Sequence, residues 1–350
     1  MICRNRLSGY LVMFFIIFIV GIFKPSHIHS QYSSGVPIFR ISVENTLNHV
    51  QALAVEKFAS DISRKTQGSL DVQFFHTARM FRDKDIIAAL GQGRVEMAVP
   101  GTWQIDRFEP SVGIFLLPSF YGRSGKYNHT LMDGPVGIKI NENIENRLGL
   151  KVLGRWIDLG HAHLYGINRH IKSDSDISGL KVRVAGGVAN AMRIKAMGGI
   201  PMIIAWPDLK TRMDQGMVDV VLTTHETVVS DRLWEHGIVS VFEDREYFPQ
   251  YVPLVSGSFW KRLSPDMRQV LSDTWESIVD GAREDAAHAQ EKARDILIAK
   301  GVNIVTPSPE SMESCRNKIM ADEPTIVEKM GIDKHLHKTM LRELLILESN

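Results

Sequence analysis

From residue 38 the apolar positions alternate with polar ones in short runs, and these runs are separated by stretches of helical spacing. "IFRISV" (38–43) reads as a strand. "NHVQALAVEKFASDISRKTQG" reads as an amphipathic helix with Val50, Leu53, Ala54, Phe58 and Ile62 on one face and Gly68 as its stop. "LDVQFF" (70–75), the short helix "DKDIIAALGQG" and "RVEMAV" (94–99) complete a strand, helix, strand, helix, strand series. The same series returns as "KVRVA" (181–185), "VANAMRIKAM", "IPMIIA" (200–205), "PDLKTRMDQG" and "MVDVVL" (217–222). Pro207 suits the first turn of its helix. The wording itself repeats: "QGRVEMAV" at 92–99 against "QGMVDVVL" at 215–222. Two βαβαβ units predict two mostly parallel sheets with helices on their faces.

In such sheets a ligand sits beyond the carboxyl ends of the strands. Those ends are "PGTW" (100–103) and "TTHE" (223–226), with "ENTLNH" (44–49) and "AGG" (185–187) beside them. Two lobes facing each other through these edges predict a cleft. Residues 264–301 carry a further helical pattern, with Met267, Val270, Leu271, Trp275, Ile278 and Val279 in step, Ser264-Pro265 as its start and Gly301 as its stop. Some 36 residues at a rise of about 1.5 Å give roughly 54 Å, longer than one small lobe. Such a helix braces both lobes; the competing reading is two helices broken near Gly281.

The leader differs from the rest. "MICRNR" is basic, "LVMFFIIFIVGIF" (11–23) is apolar throughout, and "KPSHIHSQ" follows with small residues at Ser26 and Ser30. This three-part pattern predicts a secretory signal peptide over residues 1–30, although Ile28 suits the cleavage rule poorly. Its apolar core is shorter than the roughly 18–20 residues of a membrane span; an uncleaved anchor is the alternative. The expected product is an exported, periplasmic protein. Cys3 precedes the apolar core, so Cys315 alone remains and forms no internal disulfide. A chain of 350 residues has room for two cores without that staple. The formal charge of +1 argues against nucleic acid as a partner.

The candidate chemistry centres on "GLKVRVAGGVAN" (179–190), where Arg183 ends a strand just before a Gly186-Gly187 turn. A guanidinium offers a planar fork that matches a carboxylate, and an arginine in a closing cleft costs much if left unpaired. The rival role is a salt bridge to a nearby acid such as Glu226. The glycine turn lacks both G-x-G-x-x-G and the P-loop pattern, and no G-x-S-x-G occurs, so nucleotide binding and serine hydrolysis lack support. His161 and His163 form a His-x-His that His225 or Glu226 could complete as a metal site; ordinary polar loop histidines are the favoured reading. No metal or other cofactor is expected.

In combination, "VEKFASDISRKTQGSLDVQFF", "LGQGRVEMAV", "DISGLKVRV", "MGGIPMIIAWPDLKTRMDQGMVDVV" and "FWKRLSPDMRQVL" resemble the periplasmic solute-binding subunits of tripartite ATP-independent periplasmic (TRAP) transporters, of the dicarboxylate-binding type. The resemblance implies an α/β, two-lobed Venus-flytrap fold with a long helix crossing both lobes. It implies capture of a small organic acid, delivery to membrane permease subunits driven by an ion gradient, and no catalysis. Arg183 matches the arginine that pairs with the ligand carboxylate in that family. Trp206 falls where the family often places an aromatic ring, and Trp103 has a similar position in the first lobe. Glu44 and Asn45 follow the first strand, where polar first-lobe contacts are expected.

Two positions depart from the family pattern. A second arginine is common before the "N-R" pair; here "DLGHAHLYGINRH" places His161 and His163 near that position. Thr223 aligns with a usual pocket asparagine and is followed by Thr224, His225 and Glu226. One arginine with histidines and hydroxyls suits a monocarboxylate, or a hydroxy or sugar acid, better than a dicarboxylate held at both ends. The expected lobes are residues 38–160 plus 249–288 and residues 161–248 plus 289–350. Two rivals stay open: a binding protein that feeds a sensor kinase, and a metal-dependent periplasmic enzyme using His161, His163 and His225.

Overall fold

A computed structural model describes residues 35–349, so the predicted signal peptide lies outside the described residues. Of these, residues 36–349 belong to one compact unit. The first lobe starts with β1 (Ile38–Ser42), α1 (Val50–Thr66), β2 (Asp71–Phe75), α2 (Asp83–Gly91), β3 (Met97–Ala98) and α3 (Thr102–Ile105). It continues through α4 (Gly125–Met132), α5 (Pro135–Leu148), β4 (Leu150–Val152) and β5 (Ile157–Asp158). The second lobe holds β6 (Ala162–Ile167), β7 (Lys181–Val184), α6 (Val188–Ala196), β8 (Ile200–Ile203), α7 (Leu209–Asp214), β9 (Val220–Thr223), α8 (His225–Ser230) and β10 (Ile238–Tyr247). The chain returns through β11 (Gln250–Tyr251), β12 (Leu254–Ser256) and α9 (Gly257–Arg262) into α10 (Pro265–Ala299). It ends with β13 (Asn303–Val305), α11 (Pro309–Met320), α12 (Glu323–Met330) and α13 (Lys334–Ser349).

Both predicted βαβαβ units form, and they are laid out alike. The first sheet runs β2-β1-β3-β12-β4 and the second β8-β7-β9-β6-β10-β13. In each, the first strand of the unit lies between the second and third and is parallel to both. Each parallel trio then meets an antiparallel neighbour, β12 in one sheet and β6 in the other. The third strand of each unit is shorter than its apolar run predicts, and an acid is the reason. Glu96 Oε2 accepts the backbone N–H of Arg40 at 3.0 Å, and Asp219 Oδ2 accepts that of Lys181 at 2.9 Å. A carboxylate thus takes up the first strand's donor where a ladder bond would otherwise start.

The first core lies between the sheet, α1 and α10. Phe39 and Ile41 of β1 are fully buried. Phe58 of α1 meets Trp275 of α10 edge-on at 5.3 Å. Burying each such ring contributes about 2–3 kcal/mol. The core stripe of α1 is Val50, Ala52, Val55, Phe58, Ala59 and Ile62, whereas Leu53 is 50% exposed and Ala54 half-buried, so the predicted face is rotated. Leu53 lies on the flank of the stripe, beside a surface groove shared with Ala54, Ile278 and Ala282.

Helix α10 is continuous through Gly281. Ser264 caps it by accepting the Met267 N–H at 3.2 Å. Its 35 residues span roughly 52 Å. It packs on α1 of the first lobe and α8 of the second. Between the lobes, β5 and β11 pair antiparallel as a narrow ribbon. Gly160, at φ +114°, lets the ribbon pass close to α10, where a Cβ would stand 2.5 Å from Cγ of Gln290. Gln290 answers with its own amide: Nε2 donates to the Leu159 carbonyl at 2.6 Å, and Oε1 accepts the Glu226 N–H at 3.1 Å.

Candidate functional site

The carboxyl ends of the two parallel trios meet around a small cavity of about 40 Å³, room for a few water-sized bodies. Glu44, Asn45, Trp103, Arg183, Trp206 and Thr223 all line it. Sequence reasoning missed other walls, notably Asp83, Tyr247 and Tyr251. Asp83 opens α2, the element that follows the second strand, which is the signal that could have found it. Nothing in the pattern of "YFPQYVP" marks its tyrosines as cavity walls.

Arg183 sits in β7 between Val182 and Val184, both fully buried, and is itself 2% exposed. Its Nε donates to the Ile204 carbonyl at 3.0 Å, and its guanidinium carbon stands 5.3 Å from the Trp206 ring centre. That contact is a cation–π pair, and it fixes the plane of the fork. Among the described residues no Asp or Glu forms an ion pair with Arg183, so the salt bridge weighed against ligand binding is absent. Glu226 is engaged elsewhere: its Oε1 accepts the Val50 N–H at 3.3 Å, and its Oε2 stands 3.3 Å from His49 Nε2. Burial pulls the Arg183 pKa down to about 10, against the pull of Tyr247, Glu44 and Tyr251. It remains a cation at neutral pH.

The first lobe presents acids and rings. Glu44 Oε1 accepts the Asp83 N–H at 3.1 Å. Burial pushes both carboxyls upward, Asp83 well above its ordinary range with Glu44 adding repulsion. The pair therefore takes up a proton at higher pH than separate carboxyls do. Asn45 Nδ2 donates to Gln51 Oε1 at 3.0 Å and to Tyr251 Oη at 3.1 Å, which orients it. Trp103 lies flat over Gly101, where a Cβ would come within 2.3 Å of the ring, and meets Tyr251 edge-on at 5.5 Å. Gly187, at φ +90°, carries the turn after β7 to within contact of Trp103 from the other lobe. The "AGG" sequence is thus the place where the second lobe's backbone meets the first.

Polar contacts close the cleft. Arg82 pairs with Asp208 at 3.0 Å, Gln104 Nε2 donates to the Ala185 carbonyl at 3.3 Å, and Asp106 Oδ2 accepts the Val188 N–H at 2.7 Å.

The histidines do not join this site. His161, His163 and His225 line a separate cavity of about 500 Å³ beside α10, which corrects their placement against the ligand. The reason lies in β10 and β6. His163 Nδ1 accepts the backbone N–H of Arg245 at 3.1 Å, and its ring packs on His225 at 4.8 Å. His225 Nδ1 stands 2.6 Å from Tyr165 Oη, and its Nε2 stands 3.1 Å from Glu243. These bonds hold the His163 and His225 rings in the second cavity, and the His161 ring packs on Phe248 there. Among the described residues no group of three or more His, Cys, Asp or Glu side chains is arranged to hold a metal ion. No helix among them is long and apolar enough to cross a membrane.

Residues 41–329 match the family model for bacterial extracellular solute-binding proteins, family 7 (DctP). The chain belongs to this family. Its members are solute receptors, not enzymes. The 2,3-diketo-L-gulonate-binding periplasmic protein YiaO of Escherichia coli is 24% identical over 277 residues, 79% of this chain and 83% of that protein. The C4-dicarboxylate-binding periplasmic protein DctP of Rhodobacter capsulatus is 24% identical over 242 residues, 68% of this chain and 70% of that protein. Among solved structures, the sugar acid binding protein DctPAm of Advenella mimigardefordensis, in complex with galactonate, superposes with a TM-score of 0.82 at 22% identity. The match covers 88% of this chain and 97% of that one. The two-lobed family fold is therefore the fold of this DctP-family chain.

Proposed function

We propose that this DctP-family protein captures a small organic acid between its lobes in the periplasm and hands it to TRAP membrane permease subunits. The observation that carries the reading is Arg183: a buried cation that lines the inter-lobe cavity without a carboxylate partner. A ligand carboxylate supplies that partner through paired, charge-assisted bonds. Trp206 and Trp103 cover its carbon and exclude water. Asn45, Thr223 and the Glu44–Asp83 pair face the rest of the ligand. Carboxyl groups accept from hydroxyls and repel a second carboxylate, so the site favours a hydroxylated monocarboxylate over a dicarboxylate. The sugar acids named for YiaO and DctPAm belong to that class.

In this reading the lobes comprise residues 38–160 plus 249–288 and 161–248 plus 289–350, and residues 1–30 are removed on export. Ligand that touches both lobes stabilises the shut state by its differential affinity for it. A thermal-shift panel tests the proposal, because a ligand raises the melting temperature by mass action. The panel runs from lactate and glycerate to galactonate, with succinate and malate as dicarboxylates. At least one hydroxy acid is expected to raise the melting temperature more than either dicarboxylate, and Arg183→Ala to remove that rise. A hit that survives Arg183→Ala overturns the assignment.

A further inference from the structure

The cavity beside α10 is separate from the cavity at Arg183 and roomier than it, about 500 Å³ against about 40 Å³. Most of its charges are answered within the protein. Arg283 donates to the Trp156 carbonyl at 2.8 and 3.0 Å and to Asp133 at 2.6 and 3.0 Å. Arg294 Nε donates to Glu243 at 2.6 Å, and Thr306 Oγ1 donates to the same carboxylate at 2.5 Å. His129 pairs with Asp158 at 2.5 Å. Lys126 and Arg245 are different: both line the cavity, and among the described residues neither side chain has an ion-pair or hydrogen-bond partner. Glu291, on the same wall, is the one lining carboxylate also without an ion-pair partner among those residues. Two cations thus face one acid.

The backbone supports the placement of Arg245. β10 bulges between Phe242 and Tyr247, and Arg245 is held there at φ +49°. A bulge re-aims a side chain out of the ladder, and a non-glycine residue in the left-handed region costs energy that the surrounding structure must offset. The wall beside it is apolar. The Phe248 ring meets His161 edge-on at 4.9 Å, and Ala286, Ala287 and Met312 lie around it. Gly125 lets α4 lie against Phe248, where a Cβ would come within 2.7 Å of the ring. Burial, together with repulsion from neighbouring cations and histidines, holds the His161 and His163 pKa values well below the ordinary range. They face the cavity as neutral rings, and Nδ1 of His161 is buried with no hydrogen-bond partner among the described residues.

We propose that this second cavity binds a small organic anion, its carboxylate between Lys126 and Arg245 and its apolar body against Phe248, Ala287 and Met312. Lys126 belongs to the first lobe and Arg245 to the second, so the bound anion ties the lobes together beside the β5–β11 ribbon. The ligand class differs from that of the cleft: one carboxylate on an apolar or aromatic body, without the hydroxyls that the cleft acids suit.

Benzoate serves as the probe, followed by NMR of ring-labelled histidines, with the His161 signal assigned through His161→Gln. Benzoate is expected to shift the His161 resonance in the wild type and equally in Arg183→Ala, which separates this site from the cleft. The Lys126→Ala/Arg245→Ala double variant is expected to bind about tenfold or more weakly. Both side chains are exposed, so its melting temperature should match the wild type and report a sound fold. No shift in the wild type, loss of the shift in Arg183→Ala, or an unchanged affinity in the double variant each overturns the proposal.

Discussion

The two βαβαβ units share a frame and differ in what they place on it. In each, an acid just before the third strand takes the backbone N–H of the first: Glu96 holds Arg40 and Asp219 holds Lys181. Two residues further along, the equivalence breaks. Ser42 pairs in register with Ala98, and Arg183 pairs with Val221. Ala98 and Val221 each lie two residues after their acid, so Ser42 and Arg183 occupy matching positions. One unit puts a small hydroxyl there, buried and without a hydrogen-bond partner among the described residues; the other puts the cation of the cleft. The frame is built twice, while the charge that would anchor a ligand is supplied once. The first lobe contributes rings and acids instead.

The largest expected effect comes from making the second lobe like the first. Arg183→Ser should weaken binding of the best acid in the panel by about 100-fold or more, since losing one partner of a buried charged pair costs about 2–5 kcal/mol. Isothermal titration measures it, and a loss below about tenfold would break the contrast. Next come the matching acids. Glu96→Ala removes a two-pronged pair with Arg40, at 2.7 Å on both prongs, along with the backbone bond. It should cost about 2–3 kcal/mol in urea unfolding. Asp219→Ala removes the matching backbone bond to Lys181 but only a single-pronged, more exposed pair with Arg169 at 2.9 Å, and should cost about 1–2 kcal/mol. Equal losses would show that the two acids carry the same load.

The third test is pH. Burial pushes the Glu226 pKa up to about 8 and the His49 pKa down to about 3. His49 Nδ1 accepts the Gln51 N–H at 3.2 Å, which leaves the proton on Nε2, facing Glu226. The contact joins two neutral groups across the lobes. For Glu226, whose native pKa is raised, the stabilisation is complete below the unfolded value and is lost as pH rises through about 8. For His49, whose native pKa is lowered, it is complete above the unfolded value and is lost as pH falls towards about 3. Unfolding free energies at pH 6 and 9 should therefore differ by on the order of 1 kcal/mol in the wild type. The difference should shrink in Glu226→Gln; an undiminished difference would place the titration elsewhere. The smallest effect belongs to Ser42→Ala, which removes an unpartnered buried hydroxyl and should leave unfolding within about 0.5 kcal/mol of the wild type.

Periodicity made the two trios and the long helix legible, because each is a local pattern of several residues. It could not show that β12 and β6 complete the sheets. Each is a short apolar run, buried on both faces, and its partner lies far off in sequence. Six of the nine residues picked for the site meet at one cavity because they follow strands whose ends converge. His225 follows such a strand too, whereas His163 lies within β6 and His161 just before it, and the pattern could not separate the three from the cleft. The courses of His163 and His225 are set by a bulge in β10 and by bonds to Arg245, Tyr165 and Glu243, which sequence spacing does not encode. The missing walls, Tyr247 and Tyr251, lie on the return crossing, where no periodic signal exists.

The place of β12 bears on the order in which the chain can fold as it is made. This strand lies between β3 and β4, yet it follows the whole second lobe in sequence. Until residue 256 has emerged, β3 and β4 each lack a neighbour and the first sheet stands open at its centre. The N-terminal half of the molecule is thus completed late, by a strand from the C-terminal half. Such long-range closure slows folding. A nascent chain of this design stays unfinished, with its sheet edges unpaired, for most of its synthesis.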